Sequence, residues 1–246
     1  MNIAIVSHRR PETLLGKTMG TLLSQRGIEA VPIFLFLSDE QDLEDYEDVK
    51  GVQVVRTGAA SLWEKMNFIE DFFPVGEEVM VIEDDINEFQ ALCGEKGVKF
   101  FDLINLFEKM FDAARKSKVN LVGVYPVANA FFCKPRISLG LKFVVANCYG
   151  FISTHKDCYK VQHSEKNDYE RTLRYFRQDG ATLRCDFVFP KTSNYSSEEG
   201  GIKKEGRLER ERTACSFIVR EFEGLAKINE SRKNSDYPEL KLIKPK

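Results

Sequence analysis

Short apolar runs recur along the first part of the chain: Ile3–Val6, Ala30–Leu37, Gly51–Arg56 and Val79–Ile82. Runs of this length read as strands, with Ile3–Val6 and Val79–Ile82 buried as in a parallel sheet flanked by helices. Between them the period lengthens. Glu12 to Gln25 reads as a helix halted by Gly27, and Ser61–Phe73 places Leu62, Met66, Ile69 and Phe73 on one helical face. Ser38-Asp39-Glu40 caps the exit of the second strand, and the acidic run through Asp48 reads as solvated loop and short helix.

The pattern continues through the second part. Phe101–Lys116 is an amphipathic helix with Leu103, Leu106, Phe107, Met110 and Phe111 inward. Leu121–Pro126 is a strand running into a turn, followed by the aromatic loop Ala128–Phe132. Leu141–Asn147 and Tyr149–Ser153 form a strand, or a pair interrupted at Gly150. A helix capped by Ser164 or Asn167 comes next, then a strand over Ala181–Phe189 and an arginine-rich helix carrying Arg207, Arg210, Arg212 and Arg220. The expected fold is α/β: a mixed, Rossmann-related central sheet flanked by helices in one continuous domain. Residues 1–90 form a nucleotide-binding half; residues 91–246 form an acceptor-binding half with a C-terminal helical segment.

Composition narrows the class. A chain of 246 residues with 43% hydrophobic content can bury a substantial core. It has no apolar run of the length a membrane span needs, and Ile3–Val6 follows the first residues without a signal-peptide pattern. The six cysteines show no CxxC pair and read as reduced thiols, so a cytoplasmic protein is expected. With three histidines, none near a cysteine pair, a zinc site is disfavoured. The net charge of −2 hides an asymmetry: residues 191–246 hold 13 basic and 10 acidic residues, the rest 23 and 28. That favours a polyanionic partner on the C-terminal side only slightly.

The chemistry concentrates where the fourth strand ends. Glu83-Asp84-Asp85 follows Val79-Met80-Val81-Ile82 directly, and a buried strand cannot hold three anions. The acids must lie at its carboxyl end, where open α/β sheets bind ligands. Carboxylates there suit Mg²⁺ or Mn²⁺ carrying a ligand's phosphates; a solvated acidic turn is the plain alternative. Arg9 and Arg10, with the helix amides that follow Ser7, lie at the exit of the first strand, a suitable place for a nucleotide. Lys65 and Asn67 lie off the apolar face of their helix, where they could contact diphosphate or base. The chain has no G-x-G-x-x-G after the first strand, no P-loop and no G-x-S-x-G elbow, which disfavours dinucleotide enzymes, P-loop NTPases and α/β-hydrolases. Asp168 and Glu170 open a helix; acids are favoured there by the helix dipole, and either could equally serve as a base. Lys191 to Gly201 is polar and glycine-terminated, as a lid over a diphosphate or an ordinary surface loop would be.

The layout of Ser7, Arg9, Arg10 and then an apolar strand ending in Glu83-Asp84-Asp85 resembles GT-A glycosyltransferases and their D-x-D motif. The resemblance implies a nucleotide-sugar donor, with a UDP-sugar the first expectation. It implies Asp85 as metal ligand, Glu83 at metal or ribose, Asp84 with the donor, Gly200 and Gly201 over it, and Asp168 ahead of Glu170 as base. The family often shows Glu-Asp where this chain has Asn167-Asp168. A narrower set of words spans nearly the whole chain: Gly123-Val124-Tyr125-Pro126-Val127, Asn129, Phe131-Phe132, Asp168 to Thr172, Lys191-Thr192, Tyr195, Gly200-Gly201 and Glu239. It resembles the glycosyltransferases associated with TET/JBP-type dioxygenases of phages and some eukaryotes. That implies 5-hydroxymethylpyrimidine in DNA as acceptor, and a protein acting in a host cytoplasm if phage-borne. Tyr125, Asn129, Phe131 and Tyr149 are the implied acceptor contacts. The alternatives are the same fold acting on a glycan or lipid-linked sugar, a nucleotidyltransferase, or a silent DNA-binding module.

Overall fold

The computed structural model describes residues 1–192, 205–231 and 236–245. Its centre is a sheet of eight strands. In chain order the strands are β1 (Asn2–Val6), β2 (Ile33–Leu37), β3 (Gln53–Arg56), β4 (Glu78–Glu83), β5 (Ile86–Cys93), β6 (Lys96–Lys99), β7 (Leu121–Gly123), β8 (Ile137–Gly140), β9 (Cys148–Ile152), β10 (Thr182–Cys185), β11 (Val188–Thr192), β12 (Ala226–Ile228) and β13 (Leu240–Leu242). The large sheet runs β3-β2-β1-β4-β9-β7-β10-β8. β1 lies parallel to both β2 and β4, as doubly covered apolar strands require. β9 is reversed against both its neighbours, β4 and β7.

Both faces are covered. On one, Leu14 and Leu22 of the first helical stretch and Leu103, Phe107, Met110 and Phe111 of helix Leu103–Ser117 pack against Ile3, Ile5, Met80 and Ile82. On the other, Met66 and Ile69 of helix Leu62–Phe72 pack against Ala4, Val79, Val81, Tyr149 and Phe151. Ser61 caps that helix by accepting the Glu64 amide (3.3 Å), and Glu64 answers the Ala60 amide (2.9 Å). A satellite core joins helix Asn167–Asp179 to helix Arg207–Glu221 and the β12–β13 hairpin through Leu173, Cys215, Ile218, Phe222 and Leu240. Among the described residues no helix is long and apolar enough to cross a membrane.

Several expectations differ from the structure in instructive ways. The first helical stretch runs over 11–23 but contains a π-helical segment, Leu14–Met19. Residues 141–147 are not a strand: the Lys142 amide goes to Thr182 Oγ1 (3.1 Å) and the Val144 amide to Thr172 Oγ1 (3.1 Å). The stretch Ala181–Phe189 splits into β10 and β11 in different sheets, because Asp186 between them is buried and held by Ser138 and Arg184. Neither Ser164 nor Asn167 caps helix Asn167–Asp179. Lys166 stands at its N-cap with φ 57°, and Asn167 instead reaches back to the Ser164 carbonyl (2.6 Å). The β5–β6 hairpin was not foreseen. β11 pairs with β5 across the expected boundary at residue 90.

Candidate active site

Val6 and Glu83 end neighbouring parallel strands in register, so Ser7 and the acidic triplet leave the sheet side by side. Asp84 turns inward and is completely buried. It accepts from Ser7 Oγ and from Arg10 Nη2 (2.5 Å). Burial pushes its carboxyl up, against the pull of Arg10 and Ser7. Ser7 also meets the Tyr46 hydroxyl (2.5 Å), and that hydroxyl accepts the Arg10 amide (2.8 Å). Asp84 thus fastens the loop after β1 to the turn after β4.

Beside it, Asp42 performs the same service one strand further out. It accepts from the Arg9 amide (3.0 Å), the Ser38 amide (2.9 Å) and His8 Nδ1 (3.0 Å). Burial works to raise the Asp42 carboxyl, but the His8, Ser38 and Arg9 contacts overcome it and leave it below the usual range. Arg9 itself is exposed, sits at φ 52° and reaches Asp39 (3.6 Å). Backbone in that region costs energy and persists where the surroundings fix it, here the Asp42 contact. Thr18, from the π-helical segment, closes the turn from below: its hydroxyl donates to the Glu83 carbonyl (2.7 Å) and accepts the Ile86 amide (3.0 Å).

Glu83 and Asp85 remain for the crevice. Burial and the charges of Asp85, Asp84 and Asp168 push the Glu83 carboxyl up to about 7, against Arg10. The charge of Asp168, at the start of helix Asn167–Asp179, is thus felt at Glu83. Burial raises the Asp168 carboxyl itself, opposed by the Tyr169 amide, Arg171 and Lys166. The Glu83 amide donates to the Asn147 carbonyl (3.1 Å), which brings the loop before β9 to the same point. Asp85 Oδ1 and Asn147 Oδ1 are buried oxygens with no hydrogen-bond partner among the described residues. Unmatched oxygens of this kind are the donors a hard divalent cation takes. Among the described residues, no three carboxylates, histidines or cysteines converge to hold a metal unaided. A cation here would need a ligand's phosphate oxygens and water to fill its shell.

Other expected site residues lie elsewhere. Lys65 is buried under the loop, donating to the Ser7 carbonyl (2.9 Å); burial lowers its proton affinity against Asp42, Asp84 and Asp39. Asn67 ties helix Leu62–Phe72 to the Val161 backbone through two bonds (2.8 and 3.0 Å). Glu170 is fully buried and engaged by Arg174 (2.7 Å), the Gln162 amide (3.0 Å) and His163 (3.2 Å). Tyr149 is in the core, its ring 3.8 Å under the Arg171 guanidinium. Asn129 caps the turn Ala130–Phe132, leaving Phe131 exposed, and Tyr125 is half-buried beneath Arg184 (5.0 Å). Gly200 and Gly201 lie outside the described residues. Asp42, Tyr46, Thr18, Asn147 and Arg171 were missed as site residues by sequence reasoning; Asp42 carried a signal, three residues after the Asp39 cap, and Arg171 lay within the word Asp168 to Thr172.

Sequence comparison is silent: no family model and no curated protein sequence matches. Solved structures do match. The Staphylococcus aureus protein TarS, residues 1–349 in complex with UDP-GlcNAc, superposes over 89% of this chain with a TM-score of 0.53 at 10% identity. The chain has a nucleotide-sugar transferase fold. The same TarS fragment in complex with UDP gives 0.51 at 10% identity over 89% of the chain. A putative nucleotide-diphospho-sugar transferase from Desulfovibrio desulfuricans gives 0.44 at 9% identity, covering 90% of this chain and 99% of its own. The chain spans 67% and 66% of the two TarS fragment chains, and 40% of a longer TarS chain.

Proposed function

We propose that the protein is a metal-dependent glycosyltransferase that moves a sugar from a nucleotide-sugar donor, a UDP-sugar first, to a hydroxyl acceptor. The observation that carries this reading is the pair of buried oxygens, Asp85 Oδ1 and Asn147 Oδ1, unpartnered among the described residues, beside the Glu83 amide that donates to the Asn147 carbonyl at the end of β4. Two carboxylates with different tasks are what glycosyl transfer asks for. Asp85, with the Asn147 side-chain oxygen and Glu83, would hold Mn²⁺ or Mg²⁺, which when bound offsets charge on the departing diphosphate. Arg9 and Arg10 flank the nucleotide, and Asp84 keeps Arg10 in place. Asp168 stands on the acceptor side. As the acceptor oxygen bonds to the anomeric carbon and the bond to the diphosphate oxygen breaks, the hydroxyl proton passes to Asp168. The likeness to TarS bound to UDP and UDP-GlcNAc supports the donor class.

For the acceptor we infer 5-hydroxymethylpyrimidine in DNA. The support is the resemblance in the sequence words together with the exposed Phe131 and Phe132 (78% and 51% exposed), ring faces of the kind extruded bases stack on. The decisive experiment has two arms. Thermal shifts with UDP, UDP-sugars and nucleoside triphosphates, each with and without Mn²⁺, should respond to UDP plus metal. A response to triphosphates alone would instead favour nucleotidyl transfer. Mass measurement of hydroxymethylated DNA after incubation with donor should show a hexose or N-acetylhexosamine increment, absent with Asp168→Asn.

A further inference from the structure

Away from the acids, the edge of the sheet that carries β10 and β8 bears a cavity of about 370 Å³ lined by Lys142, Phe143, Tyr169, Arg184, Lys241 and Lys244. Arg184 is tied to buried Asp186 (2.7 Å), with Arg136 also near it (3.6 Å). Among the described residues, Lys142, Lys241 and Lys244 make no ion pair, and no carboxylate lines the cavity beside them and Arg184. Lys142 registers the crowding: burial and then Lys244, Arg184 and Arg136 lower its proton affinity, against Asp186. Such a cleft is short of negative charge.

Its walls are aromatic as well as basic. Phe143 and Tyr169 lie 4.4 Å apart at 36°. The loop Asn129–Arg136 is linked to Arg184 of the cleft through Asp186, whose carbonyl accepts the Lys134 amide (2.9 Å), and it carries the exposed pair Phe131 and Phe132 (5.0 Å, 85°). Unpaired cations alone would accept any polyanion. The rings of Phe143 and Tyr169 in the cleft wall, with the Phe131–Phe132 pair on the loop tied to Asp186, favour a polymer that carries bases, because base stacking and phosphate pairing together make single-strand binding surfaces. A phosphate polymer without bases would leave the rings idle.

The cleft is also in reach of the reacting centre. Tyr169 follows Asp168 directly. Phe143 precedes Asn147, whose carbonyl takes the Glu83 amide, by four residues, and four residues span at most about 14 Å. We propose that this cleft seats the phosphodiester backbone of a single-stranded or base-extruded nucleic acid next to the nucleotide being modified. The proposal deepens, and rests on, the reading of Asp168 as the acceptor-side base.

The test is fluorescence anisotropy of a labelled single-stranded oligodeoxynucleotide with the full chain, no sugar donor present. Wild type should bind, with affinity falling as salt rises at a log–log slope of roughly −2 to −3, as three or four phosphate contacts give. Lys142→Glu/Lys244→Glu should weaken binding at least tenfold and flatten that slope; Lys142→Arg/Lys244→Arg should retain it. Phe131→Ala/Phe132→Ala should weaken the oligonucleotide but leave inorganic polyphosphate unaffected. The thermal shift with UDP and Mn²⁺ reports folding in every variant, and Lys241→Gln/Lys244→Gln replaces any variant that loses it. Unchanged oligonucleotide affinity in the charge-reversed variant, no binding by wild type at low salt, or polyphosphate competing equally with no effect of the phenylalanines would overturn the proposal. Because the assay involves no transfer, oligonucleotide binding without any sugar increment on DNA would sink the acceptor assignment and leave the cleft standing.

Discussion

Asp168 and Glu170 stand two positions apart on one helix, and the structure separates their fates. Glu170 is sealed among Arg174, His163 and the Gln162 amide, so Glu170→Gln should cost about 3–5 kcal/mol of stability by leaving the Arg174 charge buried without its partner. Urea midpoints would read that loss. Asp168→Asn should leave the midpoint nearly unchanged while abolishing transfer, since the amide keeps the side chain's size and an oxygen for the Tyr169 amide. Glu70 makes a second residue-level case. Burial pushes its carboxyl up to about 7, against Arg171 and the Tyr175 hydroxyl, with Asp71 raising and Lys160 lowering it further. A folded-state value above the unfolded one means the native chain holds the extra proton between about pH 4.5 and 7. The stability Glu70 contributes is thus full below that window and declines as pH rises through it. Glu70→Gln should flatten the fall in denaturant midpoint between pH 5 and 7; an unaltered slope would refute it. The roles of these acids were only partly legible. Consecutive residues leaving a strand point to opposite sides, so Glu83-Asp84-Asp85 announced carboxylates without saying that the middle one would be buried against Ser7 and Arg10. Asn147 belongs to no local motif and meets the site only through long-range folding, and Arg171, though within the word Asp168 to Thr172, gave no sign of its place over Tyr149.

At the scale of elements, strands with apolar runs and helices with a clean apolar face were readable: the apolar residues of β1 and β4 are all buried, and β3, largely exposed at the sheet edge, still shows its Val54-Val55 pair. β5 and β6 were not, because Asn87, Glu88 and Gln90 break the hydrophobic pattern of a hairpin that packs only in part. The π-helical turn was equally invisible: residues 11–23 carry an ordinary helical pattern. Its effect is to aim Thr18 at the acidic turn. Thr18→Val preserves shape and leaves the buried Ile86 amide without an acceptor and the Glu83 carbonyl without a donor. It should cost about 1–3 kcal/mol and reduce the Mn²⁺-dependent part of the UDP thermal shift. Loss of stability with an intact metal response would mean that the turn is held by other contacts.

Across the whole molecule, the reversed strand β9 is the seam between the two halves, and it is packed without slack. A Cβ on Gly150 would meet Met80 Sδ, with Phe111 Cζ at 2.7 Å and Val122 Cγ2 at 2.9 Å, side chains from β4, helix Leu103–Ser117 and β7. Gly150→Ala should therefore destabilise by about 3 kcal/mol, at the upper end of overpacking costs, read as a lowered thermal midpoint with donor and acceptor binding failing together. The pairing of β4 with β9, and of β5 with β11, also means that each half borrows hydrogen bonds from the other. Severing the exposed turn at Gly94 would give two pieces with naked strand edges, each an aggregation hazard by itself. Mixed from denaturant, the pieces should find one another and regain circular dichroism that neither shows alone, as in fragment complementation.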